Sequence, residues 1–213
     1  MKSEDGEGMQ MGNFDDLDEE LRDILSELGN IGTGNAVTSL AEMMGHSFEI
    51  KAPKLRFVKY QDIFQSMGIR DELQAGILVD VLGELRGMFL FLMDESFSRA
   101  VLEQMLEETA EDLTELTEMQ VSLLRELGNI ICGSYLRALS CLTGLETDVA
   151  VPDLCIDMAG AIMGVPLARH LKVSDNILMI ENEFHMGNQS FVGRILFWPE
   201  ADTLSAVVER LKG

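Results

Sequence analysis

Residues 27–37 read ELGNIGTGNAV, and residues 126–136 read ELGNIICGSYL. The second stretch starts 99 residues after the first, and the identities run past both: Glu27/Glu126, Leu28/Leu127, Gly29/Gly128, Asn30/Asn129, Ile31/Ile130, Gly34/Gly133, Leu40/Leu139 and Gly45/Gly144 all match at that spacing. Pro53 and Pro152 keep it too, each with 22 residues between it and its asparagine. Further on, GMFLFLMDES from Gly87 echoes GRILFWPEAD from Gly193 at a spacing of 106. Self-similarity at a nearly fixed period marks a duplicated unit, here with a short insertion in the second copy.

Each copy reads in the same order. A long amphipathic helix carries the repeated motif, over about 17–44 and 115–143, and Gly45 or Gly144 ends it as a C-cap. The proline segment follows, then a short helix near 60–67 or 153–164. Two apolar runs come next, 74–82 with 86–93 and 176–185 with 189–198, which predict antiparallel hairpins. The Gly-Asn pair in HMGNQS supplies the turn of the second hairpin. A helix closes each copy, ESFSRAVLEQMLEE from Glu95 and ADTLSAVVERLKG from Ala201. The expected fold class is α+β, a pseudo-two-fold duplicate with an antiparallel β-sheet flanked by long helices. Residues 1–16 read as a flexible acidic tail. Residues 17–213 read as one domain of two repeats, about 17–110 and 111–213, since neither small half has enough strand pairing to stand alone.

Composition narrows the function classes. Of 213 residues, 46% are hydrophobic, enough for a real core. Against 16 lysines and arginines stand 37 aspartates and glutamates, a net charge of −21. That balance disfavours nucleic acid, whose affinity for proteins rests on cations, and anionic membranes for the same reason. No apolar run approaches the roughly 18–20 residues a membrane span requires. The N-terminus also lacks the apolar core of a secretion signal, so a cytoplasmic location is expected. Cys132, Cys141 and Cys155 form no C-x-x-C pair and read as buried thiols. His46, His170 and His185 match no ligand spacing, and no bound metal is expected.

Helical phase decides what the motif presents. At about 100° per residue, Asp23, Glu27, Asn30 and Gly34 fall within a sector roughly 60° wide. Leu17, Leu21, Ile24, Leu25, Leu28 and Ile31 lie on another sector and face the core. The second copy repeats the geometry, with Ser122, Glu126, Asn129 and Gly133 set against Leu116, Leu123, Leu124, Leu127 and Ile130. Two exposed polar stripes are expected. Glycine inside a helix costs roughly 1 kcal/mol relative to alanine, yet one helix holds Gly29, Gly32 and Gly34 and the other Gly128 and Gly133. Tight internal packing would explain them, and so would a partner surface approaching the backbone beside Asn30 and Asn129.

A glutamate three residues before an asparagine on a solvated helix is ordinary once; its duplicate with a fixed proline is not. An asparagine amide both donates and accepts hydrogen bonds, so it can hold a water in line with a phosphorus atom. Phosphoryl transfer needs little beyond such positioning and charge stabilisation. A glutamate one turn away can grip a partner's lysine and fix the docking register.

The pattern [Asp/Ser]-x-x-x-Glu-x-x-Asn, followed after 22 intervening residues by Pro, resembles the CheC/CheX/FliY phosphatases of bacterial and archaeal chemotaxis. DILSELGN with its proline gives Asp23, Glu27, Asn30 and Pro53, and SLLRELGN gives Ser122, Glu126, Asn129 and Pro152. The likeness spans almost the whole chain beyond the tail, and two intact motifs look most like the CheC type. It implies hydrolysis of the aspartyl phosphate on the response regulator CheY, in a Mg²⁺-containing site belonging to CheY, with no cofactor bound by this chain. Asn30 and Asn129 would orient the attacking water, and Glu27 and Glu126 would contact a regulator lysine. Asp23, Ser122, Pro53 and Pro152 would support the motif. The resemblance also implies binding of the receptor deamidase CheD through the short helix after the second proline. Here that is PDLCIDMAGAIMG, with Asp157 as the contact. A monomer is expected. The alternative is an adaptor that captures CheD or phosphorylated CheY without catalysis. The two sites are expected to be unequal, because Ser122 replaces Asp23, and Ile131 and Cys132 replace Gly32 and Thr33. Ile131 narrows the second site unless it turns into the core.

Overall fold

The structure, a computed structural model, describes residues 19–45, 49–68, 72–107, 110, 112–169, 176–200, 203, 209 and 210. The acidic tail, most of the second closing helix, Leu17, the side chain of Leu21, His46 and His170 lie outside the described residues.

Two long helices carry the motifs, α1 (Glu19–Met44) and α4 (Glu118–Thr143). Both stop where the sequence places a glycine. Gly45 and Gly144 adopt left-handed backbone angles, φ +71° and +69°, and their amides donate to Ala41 O (3.0 Å) and Ser140 O (2.8 Å), the hydrogen bond that closes a helix on an αL residue. Thr117 opens α4 with a reciprocal cap, its hydroxyl accepting from Gln120 N (3.3 Å) while Gln120 Oε1 accepts from Thr117 N (2.9 Å).

The strands are β1 (Glu49–Ile50), β2 (Lys54–Lys59), β3 (Leu73–Gly83) and β4 (Gly87–Asp94) in the first copy. The second copy supplies β5 (Thr147–Val149), β6 (Asp153–Met158), β7 (Asn176–Met186) and β8 (Gln189–Pro199). They form one eight-stranded sheet in the order β1-β7-β8-β4-β3-β5, with β2 also on β7 and β6 also on β3; every pairing is antiparallel. The two hairpins meet at β4 and β8, where Leu90 pairs with Leu196. Each copy lends its first two strands to the hairpin of the other: Phe57 lies opposite Leu178, and Leu154 opposite Ile77. The edges of both hairpins are therefore covered by exchanged strands, which satisfies their backbone groups and ties the copies together.

Alternation along the strands makes two cores. Ile77, Val79, Phe89, Phe91 and Met93 join Leu25, Leu28, Leu124 and Leu127 beneath α1, α4 and the closing helix α3 (Glu95–Leu106). Leu78, Met88, Leu90 and Leu92 face the other way, onto Ile63 and Met67 of α2 (Ile63–Met67) and Ile162 and Met163 of α5 (Ala159–Arg169).

The short helix expected over 153–164 is half strand. Asp153–Met158 pairs with β3, and the helix starts only at Ala159. Leu154 and Ile156 alternate with Asp153, Cys155 and Asp157, a period of two that suits the open edge of β3. Lys54–Lys59 does the same on β7 in the first copy, where no strand was expected. The thiols also differ from expectation: Cys132 is buried and Cys155 half-buried, but Cys141 is exposed.

Candidate functional site

The sheet holds α1 and α4 side by side on one face, and their outer sectors carry the motif side chains. Asp23, Glu27, Asn30 and Gly34 are exposed on α1. On α4, Ser122 and Glu126 are exposed, and Asn129 and Gly133 are half-buried. Among the described residues none hydrogen-bonds to the side chains of Asn30, Asn129, Glu27 or Glu126. Two outward amides, each one turn from an outward carboxylate, are left free for an external ligand.

The glycines divide into two kinds. A Cβ on Gly29 would meet Leu55 Cδ1 at 2.5 Å and Pro53 Cγ at 2.8 Å. One on Gly32 would enter the ring of Tyr135, and one on Gly128 would strike Ile77. These three exist so that a proline, a ring and a strand can press on the helices. A Cβ on Gly34 would meet nothing within 4 Å, and one on Gly133 would meet only Arg137 Nη1 at 3.4 Å. Internal packing gives no reason for these two, which lie on the stripes one turn beyond the asparagines.

Half-buried Pro53 rests against α1 at Gly29 and so flanks Asn30. Half-buried Pro152 stands just before β6. Asp157 is not brought to either stripe. It is exposed near the end of β6, opposite Gln74, five residues and on the order of 16 Å of strand beyond Pro152. There Met158, 40% exposed, borders an open groove with Glu72, Leu73, Asp94, Glu95, Ser96 and Arg99. Of the apolar residues in that segment, Ile162 and Met163 are core and Leu154 and Ile156 pack against it, which leaves Met158 as the exposed one. Ile131 is buried against the sheet and does not narrow the second site.

One asymmetry between the copies is internal. Beneath the first stripe, Thr33 Oγ1 lies 2.8 Å from the Tyr135 hydroxyl. Both hydroxyls donate to Asn182 Oδ1, at 3.3 Å from Thr33 and 2.9 Å from Tyr135. All three side chains are buried. At the 99-residue spacing Thr33 and Tyr135 correspond to Cys132 and Ala36, both buried, so the hydroxyl pair that ties α1 and α4 to β7 is not repeated at the equivalent positions. Nothing in the sequence joins these three positions, which lie 47 to 149 residues apart.

Burial pushes the Tyr135 hydroxyl up from 10.0 to about 12, against the lowering effect of its two hydrogen bonds. The unfolded chain would ionise this group near pH 10 and the folded chain only near 12, so stability present below pH 10 is lost as pH rises across that interval. Two units amount to roughly 3 kcal/mol. Urea titrations at pH 9 and pH 11.5 should show about 2 kcal/mol of this loss in the wild type and a markedly smaller one in Tyr135→Phe. Burial likewise raises the Cys132 thiol far above the ordinary range, so it stays an inert core group.

Among the described residues no three histidine, cysteine, aspartate or glutamate side chains are grouped to hold a metal ion, and no described helix is long and apolar enough to cross a membrane.

Known proteins share this arrangement. The family model described as CheC-like matches residues 20–55, which hold the first motif. The one described as chemotaxis phosphatase CheX matches residues 75–168, which hold the second. The CheY-P phosphatase CheC of Bacillus subtilis is 30% identical over 173 residues, covering 80% of this chain and 83% of that protein. In fold, the chain resembles FliY of Thermotoga maritima with a TM-score of 0.69 at 23% identity, over 92% of this chain and 98% of that one. It also resembles a CheX from Borrelia burgdorferi, solved in complex with CheY, BeF₃ and Mg²⁺, with a TM-score of 0.51 at 18% identity over 81% of this chain and 98% of the other. Sequence likeness over four-fifths of the chain, the duplicated motif and the shared fold together make this protein a member of the CheC-like family of chemotaxis proteins.

Proposed function

We propose that this protein hydrolyses the aspartyl phosphate of a CheY-type response regulator. One observation carries the reading: two asparagine amides on the outer sectors of neighbouring helices are engaged by nothing among the described residues, each a turn from an exposed glutamate. The relative named a CheY-P phosphatase and the CheX solved with CheY support it.

In this mechanism the regulator brings the phosphoryl group, its Mg²⁺ and the charged groups around them. Asn30 or Asn129 enters that site, and its amide oxygen accepts a hydrogen bond from a water, aiming the water oxygen at phosphorus opposite the aspartyl oxygen. The new water–phosphorus bond forms as the phosphorus–aspartyl bond breaks. The aspartate leaves as a carboxylate, the water protons pass to phosphate and solvent, and inorganic phosphate is released. A carboxylate is a good leaving group, so the asparagine contributes orientation alone. Glu27 or Glu126 pairs with a regulator lysine, Asp23 and Ser122 border the contact, and Pro53 and Pro152 shape the groove. A CheD-type partner would dock apart from the stripes, where Asp157 and Met158 are exposed beside the groove on α3.

Turnover separates an enzyme from an adaptor. With this protein at a hundredth of the concentration of phosphorylated CheY, regulator decay should accelerate in proportion to protein added and run to completion. Binding without acceleration would leave the adaptor as the function.

A further inference from the structure

We infer that Arg137 gives the second stripe a cationic contact for an anionic group on its partner, a contact the first stripe lacks. This rests on the phosphatase reading above. Arg137 follows Gly133 by one turn on the same side of α4 and is exposed. Its guanidinium leans back along the helix: Nη2 donates to Ser134 Oγ at 3.2 Å, and Nη1 lies 3.4 Å from where a Cβ on Gly133 would stand. Helical side chains incline toward the N-terminus, and here that brings the charge beside Gly133, about 6 Å of helix rise from Asn129. Ser134 Oγ is itself held, donating to Ile130 O at 2.7 Å, so the arginine is anchored and not a free surface arm.

Charge makes this placement notable. In a chain of net charge −21, Arg137 has no carboxylate partner among the described residues. The equivalent position in the first copy is Thr38, whose hydroxyl turns inward to Gly34 O at 3.0 Å. At this position the second stripe carries a positive charge that the first lacks, in addition to the aspartate that Ser122 replaces. A phosphorylated carboxylate site is an acidic surface, which an acidic protein repels at long range. A guanidinium offers the fork of donors that suits a phosphate or carboxylate oxygen, and the bare backbone of Gly133 leaves room for that oxygen to approach.

The test uses full-length protein and phosphorylated CheY, with one stripe disabled at a time. In the Asn30→Ala background, where only the second stripe works, Arg137→Ala should lower kcat/KM about 10-fold. Arg137→Lys should recover part of that, and the salt dependence of the rate should flatten with the alanine variant. An undiminished rate there would overturn the inference. A loss of the same size in the Asn129→Ala background would overturn it too, because it would mark a general charge or stability effect. If Asn30→Ala/Asn129→Ala turned over as fast as the wild type, the phosphatase reading itself would fail, whatever Arg137 does.

Discussion

Asn30→Ala/Asn129→Ala is expected to lose at least about 100-fold in the accelerated hydrolysis of phosphorylated CheY, the scale on which misplaced reacting groups cost rate, while its melting temperature stays level or rises slightly. Both amides face outward and bond to nothing among the described residues, so truncation removes no support from the fold. Substitutions at exposed Asn30 and at half-buried, unbonded Asn129 should shift stability by only about 0.5 kcal/mol each, and alanine is a better helix former than asparagine. Each single variant should keep the activity of its intact stripe. Those residual activities should differ, since Arg137 stands on the second stripe and the Thr33–Tyr135–Asn182 cluster lies beneath the first. Phosphate release and thermal unfolding, measured on the same samples, check both halves of the expectation. A joint fall in activity and stability would mean that the asparagines hold the fold and do not work on a partner.

Gly34→Gln should separate stability from activity in the opposite sense. The added side chain meets nothing within 4 Å, and replacing a mid-helix glycine by a helix former is worth about 0.5–1 kcal/mol, so the variant should unfold at higher urea. Yet the side chain would fill the space one turn from Asn30 through which a docking surface reaches the helix. In the Asn129→Ala background, where only the first stripe works, turnover should fall about 10-fold or more, mostly through KM. Gly128→Gln provides the contrast: its Cβ would collide with Ile77 of β3, and overpacking of that kind costs about 1–3 kcal/mol. Unimpaired turnover in Gly34→Gln would show that no partner backbone comes close at that point.

These glycines also show how far the sequence could be read. Helical phase placed Asn30 and Asn129 outward and Leu25, Leu28, Leu124 and Leu127 inward, because a 26-residue helix on a sheet offers a long, regular pattern. The hairpins and the glycine C-caps were legible for similar local reasons. Phase set Gly34 on the stripe and Gly29 off it, but could not show that Leu55 and Pro53 fold back over Gly29. Strands β2 and β6 were missed because each pairs with the opposite copy, Leu55 with Ile180 and Ile156 with Ala75, and six-residue runs beside a short helix carry little periodicity of their own. The buried cluster of Thr33, Tyr135 and Asn182 had no local signal; the 99-residue spacing gives only Cys132 and Ala36 as the counterparts of Thr33 and Tyr135. Arg137 was within reach of sequence reasoning, as a cation on the extended stripe with neutral Thr38 as its counterpart.

The central claim is that both asparagine amides enter the metal-bearing site of a phosphorylated regulator. Paramagnetic NMR addresses it directly, with isotope-labelled protein added to CheY carrying a beryllofluoride phosphoryl mimic and Mn²⁺ in place of Mg²⁺. The side-chain amide signals of Asn30 and Asn129 should broaden first and most strongly, ahead of Asn35 on the same helix and Asn182 in the core. Broadening centred on Asp157 and Met158, with both stripe asparagines left sharp, would contradict the claim and place the regulator elsewhere on the fold.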